Sequence, residues 1–246
     1  MAPSAPYYRP DLALVHHRGF GFHADMCAPG IIARLRDIRE NGGTVLELGC
    51  GSGLLTKELI TAGYRVIATD ASPAMVELAR AHARGAAEIR EITLPDDPLP
   101  EADAIVSIGH AISYLDDEAA IDRALVAMAT ALRPGGILAI DICDLAWGEA
   151  RRDAPNFSNV GDDWAIITRF SMPTPARFVR TMTTFVRNDD GSWRRDDERH
   201  DNVLIDTERV PALLAEHGVD ATVEPSFGSE QLPDGLRVIV GRRSRS

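Results

Sequence analysis

Strand and helix patterns alternate along the chain from residue 31 to residue 143, and this alternation constrains the fold more than any other feature. Strand patterns occupy five segments: residues 44–48, 64–70, 102–109 and 137–143, which are rich in apolar residues, and the more polar residues 87–91. Segments with helical spacing of apolar residues separate them. Strands joined by helices require right-handed crossovers and a mainly parallel sheet covered on both faces. We therefore predict an α/β fold, with a doubly wound, mainly parallel seven-stranded sheet.

The segment before the first strand has a helical pattern of its own. Ile31, Leu35 and Ile38 share one face, with Pro29 near the start and glycines at 42–43 after the end. This pattern predicts one helix that begins near Pro29.

The pattern changes after Cys143. Residues 144–163 have no regular pattern, whereas 164–170, 176–187 and 192–205 read as strands, the last two joined by the hairpin sequence "NDDG". We predict a small antiparallel β insertion here. A last helix, a strand at 236–243 and the segment 221–227 as its antiparallel partner are then expected to complete the seven-stranded sheet. The expected division is an N-terminal helical lid (1–43), a binding core (44–143), the β insertion on the substrate side (144–205) and a C-terminal part (206–246).

Charge and cysteine content limit the kinds of partner and binding site that we expect. The formal net charge is −11, and Lys and Arg side chains supply most of the affinity of nucleic-acid binders, so we expect no nucleic-acid partner. Cys27, Cys50 and Cys143 are scattered, which argues against disulfides, and no carboxylate or cysteine completes a metal site beside the N-terminal histidines. No apolar run has membrane-spanning length, and the N-terminal residues show no secretion signal. We expect a cytoplasmic monomer or homodimer with a small-molecule substrate and no metal.

The stretch "TVLELGCGSGLL" places three glycines directly after the first predicted strand. Gly49, Gly51 and Gly53 allow a sharp turn close to a ligand, and the helix that follows offers free N–H groups. Asp70 ends the second strand, where a carboxylate can accept hydrogen bonds from ribose hydroxyls. A dinucleotide turn would have the spacing G-x-G-x-x-G, but Leu54 occupies the last position, and the acid Glu47 precedes the turn. The turn therefore favours another nucleotide.

The segments "VLELGCGSGLLTKELITAGYRVIATDASPAMVELAR" and "ALRPGGILAIDI" resemble the class I S-adenosylmethionine (SAM)-dependent methyltransferases of the small-molecule type. The resemblance covers residues 44 to about 142, and the C-terminal helix and strand loosely. It implies SAM as cofactor. Many relatives have an acid after strand three, where this chain has Ile92 and Thr93, so adenine recognition would depend on backbone groups and apolar packing. The resemblance implies cofactor contacts from Glu47, Gly49, Cys50, Gly51, Gly53, Asp70, Ala71, Met75, Ile92, Thr93, Ser107, Gly109 and His110.

Methyl transfer needs a positioned acceptor, and a base only where the acceptor must lose a proton. His110 follows strand four at the carboxyl edge and is the best candidate base, with packing or a cofactor hydrogen bond as the alternative. Tyr114 and His17 are weaker candidates. Within the aromatic N-terminal segment, Tyr7, Tyr8, His17, Phe20 and Phe22 are lid hypotheses, each with ordinary packing as the alternative.

The stretch "RRDDERHDN" (194–202) is interpreted as a solvated strand edge, because neighbouring side chains on a strand point to opposite faces. Arg180, Glu198 and His200 are kept as weak candidates on the substrate side.

These features predict an enzyme that transfers a methyl group from SAM to an O, N or C nucleophile of a small molecule, including specialised metabolites. A non-catalytic SAM-binding partner subunit is the second hypothesis. A nicotinamide-dependent oxidoreductase is the third, and the glycine spacing disfavours it.

Overall fold

The computed structural model describes residues 7–245, and within them eleven strands form two separate sheets. The strands are β1 (Thr44–Leu48), β2 (Arg65–Asp70), β3 (Glu88–Glu91), β4 (Ala102–Ser107), β5 (Leu132–Cys143), β6 (Phe157–Val160), β7 (Trp164–Thr174), β8 (Arg177–Arg187), β9 (Trp193–Val203), β10 (Val219–Glu224) and β11 (Leu236–Arg243).

Helices cover the sheet and connect its strands. They are α1 (Pro10–Gly19), α2 (Phe22–Arg34), α3 (Arg36–Glu40), α4 (Leu54–Thr61), α5 (Pro73–His82), α6 (Glu118–Ala131), α7 (Leu145–Glu149) and α8 (Val210–Glu216), with short 3₁₀ turns at Ala111–Tyr114 and Thr207–Arg209. Side chains cap three of them, which satisfies otherwise free donors: Ser72 accepts from the Met75 N–H, Asp117 from the Ala120 N–H and Asp144 from the Ala146 N–H.

The larger sheet has the strand order β10-β11-β5-β4-β1-β2-β3. Five neighbouring strands, β5 to β3 in that order, run parallel, while β11 pairs antiparallel with both β5 and β10. This confirms the prediction of a seven-stranded, mainly parallel sheet. The strand order reverses between β1 and β4, and such a switch point opens a crevice at the carboxyl ends of the strands.

The β insertion forms the second sheet, in the antiparallel order β6-β7-β8-β9. Arg180 on β8 lies directly opposite His200 on β9, so their side chains share one face. The interpretation of β9 as a solvated edge holds for only one of its faces. Arg195 and Arg199 are exposed, but Glu198 and His200 are buried against the N-terminal segment.

Two predicted segments differ in the structure. The N-terminal pattern forms two helices, and α2 begins at Phe22, seven residues before Pro29. Proline costs one hydrogen bond inside a helix, and here Cys27 and Ala28 are buried by tertiary packing, which stabilises the extra turns. The stretch 144–163, predicted to be irregular, contains α7 and β6.

Apolar clusters fill both faces of the larger sheet, with Ile105 and Leu125 on one face and Val45 and Ile31 on the other. A third cluster packs α1 onto the smaller sheet through Leu12, Val15 and Trp164 among others, so the two sheets are joined across the N-terminal segment. None of the helices within residues 7–245 has the length and apolar character needed to cross a membrane.

Candidate active site

Two adjoining cavities open at the carboxyl ends of β1, β2, β3 and β4. The larger has a volume of about 520 Å³ and the smaller about 230 Å³. The first value lies in the range of small-molecule sites. Six residues line both cavities and so form their common wall: Tyr8, His16, Gly49, Gly51, Ile108 and Gly109.

The glycine turn after β1 forms part of that wall. Gly49, Gly51 and Gly53 have φ values of +69°, +54° and +84°, a region that side chains disfavour. At Gly49 the space is also closed, because an added Cβ would lie 2.4 Å from the Cβ of Ala111. The Cys50 N–H donates to the Thr69 carbonyl at 2.8 Å and ties the turn to β2.

Asp70 faces the larger cavity from the end of β2. One carboxylate oxygen accepts from the Gly51 N–H and the other from the Ser72 N–H, both at 2.8 Å. Burial raises the pKa of Asp70 while these backbone donors oppose the rise. Each carboxylate oxygen has a further lone pair, so the fixed carboxylate retains capacity for two hydroxyl donors.

Glu47 lies below the turn and lines the smaller cavity. The carboxyl group is buried, and the Thr56 hydroxyl donates to it at 2.6 Å. Burial raises the pKa of Glu47 to about 8, so the group carries a proton at neutral pH.

Ala71, Met75, Ile92 and Thr93, to which the family resemblance assigns contacts with the adenine, all line the larger cavity. The structure adds a carboxylate there, because Asp96 lines the same cavity. Asp96 lies five residues beyond the end of β3, outside Ile92 and Thr93, the two positions that directly follow the strand.

His110 follows β4 and lines the smaller cavity, held by a carboxylate that the sequence analysis did not single out. Asp141 on β5 is fully buried and accepts from the Gly109 N–H at 2.9 Å and the His110 N–H at 2.5 Å. Nε2 of His23 lies 2.8 Å from the same carboxylate. An acid inside the apolar strand "ILAIDIC" was the available signal, since a buried carboxylate needs such partners.

The His110 ring stacks on Tyr114 at 5.5 Å and lies 5.4 Å from the Trp147 ring. Burial, and after it the positive charge of Arg180, lowers the pKa of His110 well below its usual range. The imidazole is therefore neutral at physiological pH, which is the form that accepts a proton.

The N-terminal segment closes over both cavities. The Tyr8 and Arg9 N–H groups donate to the Glu198 carboxylate at 2.9 and 2.8 Å, and the Ser72 hydroxyl donates to the Tyr8 carbonyl at 2.8 Å. The Tyr8 and Tyr114 hydroxyls are 2.8 Å apart. This segment therefore contacts the binding core (44–143) through Ser72 and the β insertion through Glu198.

Most of the residues selected from the sequence meet at the two cavities, but five do not: His17, Gly53, Ser107, Glu198 and His200. His17 lines neither cavity: its Nδ1 lies 2.9 Å from the Ser52 hydroxyl and its ring stacks on His82. Neighbouring residues on a helix point in different directions, and His16 is the one that lines both cavities. Gly53 and Ser107 lie outside both linings. The lid candidates Tyr7 and Tyr8 line the larger cavity, and Phe20 and Phe22 the smaller.

Comparison with known proteins gives consistent matches. A family profile described as "Methyltransferase domain" matches residues 45–136. A protein of Geobacillus sp. (strain WCH70), named as a methyltransferase, is 24% identical over 189 residues, which are 73% of this chain and 75% of that protein.

Two of the solved structures that match nearly the whole chain illustrate the likeness. The sugar N-methyltransferase KedS8 from Streptoalloteichus sp. has a TM-score of 0.77 at 22% identity and covers 99% of this chain and 98% of its own. SAM-bound CalS10, an amino pentose methyltransferase from Micromonospora echinaspora, has a TM-score of 0.71 at 20% identity and covers 98% and 99%. At these identities the likeness establishes the fold.

Proposed function

The chain belongs to the class I SAM-dependent methyltransferases, and we propose that it transfers the methyl group of SAM to an O, N or C nucleophile of a small molecule held in the smaller cavity. The observation that carries this proposal is the shared wall of the two cavities. Gly49, Gly51 and Gly109 border both, so a cofactor in the larger cavity and an acceptor in the smaller one would meet there.

The residues of the larger cavity fit SAM. The Asp70 carboxylate would accept from the ribose hydroxyls, Met75 and Ile92 would contact the adenine faces, and Asp96 would accept from the adenine amino group. Glu47 lines the smaller cavity beside the shared wall, and its carboxyl oxygen would accept a hydrogen bond from the cofactor's ammonium group there. Bound SAM supplies a methyl group on a positively charged sulfur, which is already activated for displacement.

The chain's own contribution is to position the acceptor and to remove a proton from it where needed. The neutral His110 ring is fixed between Tyr114 and Trp147, and Asp141 holds its backbone. His110 would accept the proton of an attacking hydroxyl group, or the proton that an ammonium group must lose before its nitrogen lone pair can attack the methyl carbon. The N-terminal segment, closed through Glu198, would exclude water from the transfer.

The test begins with binding. Titration calorimetry with S-adenosylhomocysteine and, separately, with NADH should show binding of the first only. Methyl-labelled SAM is then offered with a panel of amines, phenols and amino sugars, the last because two structural neighbours are described as sugar methyltransferases. Labelled product from any acceptor supports the proposal. Tight S-adenosylhomocysteine binding without transfer to any acceptor or cell extract would favour the non-catalytic subunit instead.

A further inference from the structure

We infer that the acceptor carries an anionic group, a carboxylate or a phosphate, and that Arg180 in the smaller cavity binds it. This inference rests on the proposed function, because it assigns the smaller cavity to the acceptor.

Arg180 has few partners for a buried guanidinium group. It lines the smaller cavity from β8, and one of its amino groups donates to the Tyr114 hydroxyl. Its Nε is buried and has no hydrogen-bond partner within residues 7–245. No carboxylate of that part of the chain forms an ion pair with it, and residues 1–6 contain no acidic side chain.

Other polar groups of the same cavity also lack partners. The indole N–H of Trp147 is buried without an acceptor. Nδ1 of His16 and Nδ1 of His110 are also buried without a hydrogen-bond partner within residues 7–245. Arg180 Nε and Trp147 Nε1 can only donate hydrogen bonds. Buried donors in native proteins are nearly always satisfied, so the group that completes this site must present acceptor oxygens.

The charge balance points the same way. Of the other ionisable groups lining the smaller cavity, Glu47 carries a proton at neutral pH and His23 is paired with Asp141. Glu198 lies on the neighbouring strand, but its oxygens already accept from Tyr8, Arg9 and His200. A buried guanidinium group without a counter-ion costs free energy, and an anionic acceptor would supply that counter-ion.

The location of Arg180 assigns it to the acceptor. Arg180 and Trp147 line the smaller cavity and are absent from the lining of the larger one. Both also lie outside residues 45–136, the segment that matches the methyltransferase domain. The cofactor's own carboxylate is the competing anion, and the experiment must distinguish the two. Guanidinium groups bind carboxylates and phosphates through paired hydrogen bonds, so both chemistries are tested.

The experiment titrates the protein, saturated with S-adenosylhomocysteine, with benzoate, phenyl phosphate and the neutral benzamide by calorimetry. We expect benzoate or phenyl phosphate to bind at least about tenfold more tightly than benzamide, since hydrogen bonds to charged groups exceed neutral ones by about that much. The tighter of the two anions identifies the acceptor's group. In Arg180→Gln the preference for the anion over benzamide should fall to about twofold or less. Arg180→Lys should keep part of this preference.

Two variants complete the test. Arg187→Gln removes an exposed arginine from the same strand and should keep the wild-type preference. Trp147→Phe removes the indole N–H and keeps an aromatic ring at this position, and it should weaken anion binding severalfold while benzamide binding changes less than twofold. If Arg180→Gln does not fold, Arg180→Lys and Trp147→Phe carry the test.

Equal affinity of wild-type protein for all three probes overturns the inference. It is also overturned if Arg180→Gln loses tenfold or more in S-adenosylhomocysteine affinity while binding of 5′-methylthioadenosine, which lacks the carboxylate, is unchanged. Absence of S-adenosylhomocysteine binding to the wild-type protein would instead refute the proposed function itself.

Discussion

The larger and the smaller cavity share a wall but are built in different ways. The larger one is lined mainly by segments that directly follow β1 to β4, such as Gly49, Asp70, Thr93 and Ile108. The smaller one is closed by side chains from distant parts of the chain, among them Phe22, Trp147 and Arg180. The first therefore depends on local turns at one sheet edge, whereas the second depends on how the N-terminal segment and the second sheet pack onto it.

This difference separates two kinds of mutational effect. Changes in the larger cavity should alter cofactor affinity, and changes in the smaller one should alter turnover. A variant that lowers cofactor affinity and turnover by the same factor would show that the two cavities act as one site.

The largest effect is expected at His110. His110→Ala should lower the rate of methyl transfer by roughly 10²–10⁴-fold where the acceptor must lose a proton, because general bases contribute about that much. The dissociation constant of S-adenosylhomocysteine should change by less than about threefold.

Single-turnover transfer to the first acceptor identified measures the rate. His17→Ala is the matched control and should leave it near wild type, since His17 lines neither cavity. Equal loss of rate in both histidine variants would remove His110 from the role of base.

The second prediction concerns pH and Glu47. The pKa of Glu47 is about 8 in the folded protein, against an ordinary value of 4.5. The folded state therefore keeps a proton that the unfolded chain has lost, and the free energy of unfolding falls as pH rises from 4.5 to 8. Glu47→Gln removes this decline, so its stability relative to wild type should improve over that window by up to about 4 kcal/mol.

Urea unfolding at pH 5, 6.5 and 8 measures this change. Glu77→Gln, which alters an exposed glutamate on α5, should track the wild type at every pH. A constant difference between Glu47→Gln and wild type across the three pH values would contradict a raised pKa.

The third prediction is the loss of the ribose partner. Asp70→Ala should weaken S-adenosylhomocysteine binding by about 100-fold, because each charge-assisted hydrogen bond contributes roughly 1.5–3 kcal/mol. It also frees the Gly51 and Ser72 N–H groups, so melting curves must show that the protein is still folded. An unchanged dissociation constant would exclude Asp70 from ribose binding.

The smallest effect is a contrast between two glycines. Gly49→Ala combines a positive φ with a clash against Ala111, whereas Gly109→Ala has a positive φ and open space around it. We expect Gly49→Ala to lose roughly 1–3 kcal/mol more stability than Gly109→Ala, the typical cost of overpacking. Chemical denaturation measures both, and Ala111→Gly should rescue part of the loss in Gly49→Ala. Similar losses without rescue would mean that backbone conformation alone matters at Gly49.

The sequence predicted the larger sheet well because its strands and helices carry local patterns. Residues 44–48 form β1 as predicted. The strands β2 and β4 pair with β1 in parallel, as the alternation of strands and helices predicts. The N-terminal helices were harder to predict, because Pro29 is a local signal for a helix start while burial of Cys27 and Ala28 is a tertiary effect. The same limit applies to His16 and His17, whose neighbours in sequence do not show which one faces the cavities.

The sequence alone determined the glycine turn, Asp70 and the cofactor they indicate, because these residues lie close together along the chain and their geometry is set by one turn and two adjacent strands. Tertiary structure alone decided the lining of the smaller cavity, which we propose for the acceptor. Tyr8 and Glu198 bond across 190 residues, and Arg180 reaches Tyr114 from the second sheet. Contacts of such separation depend on strand register and on the packing of whole elements, which no local pattern encodes.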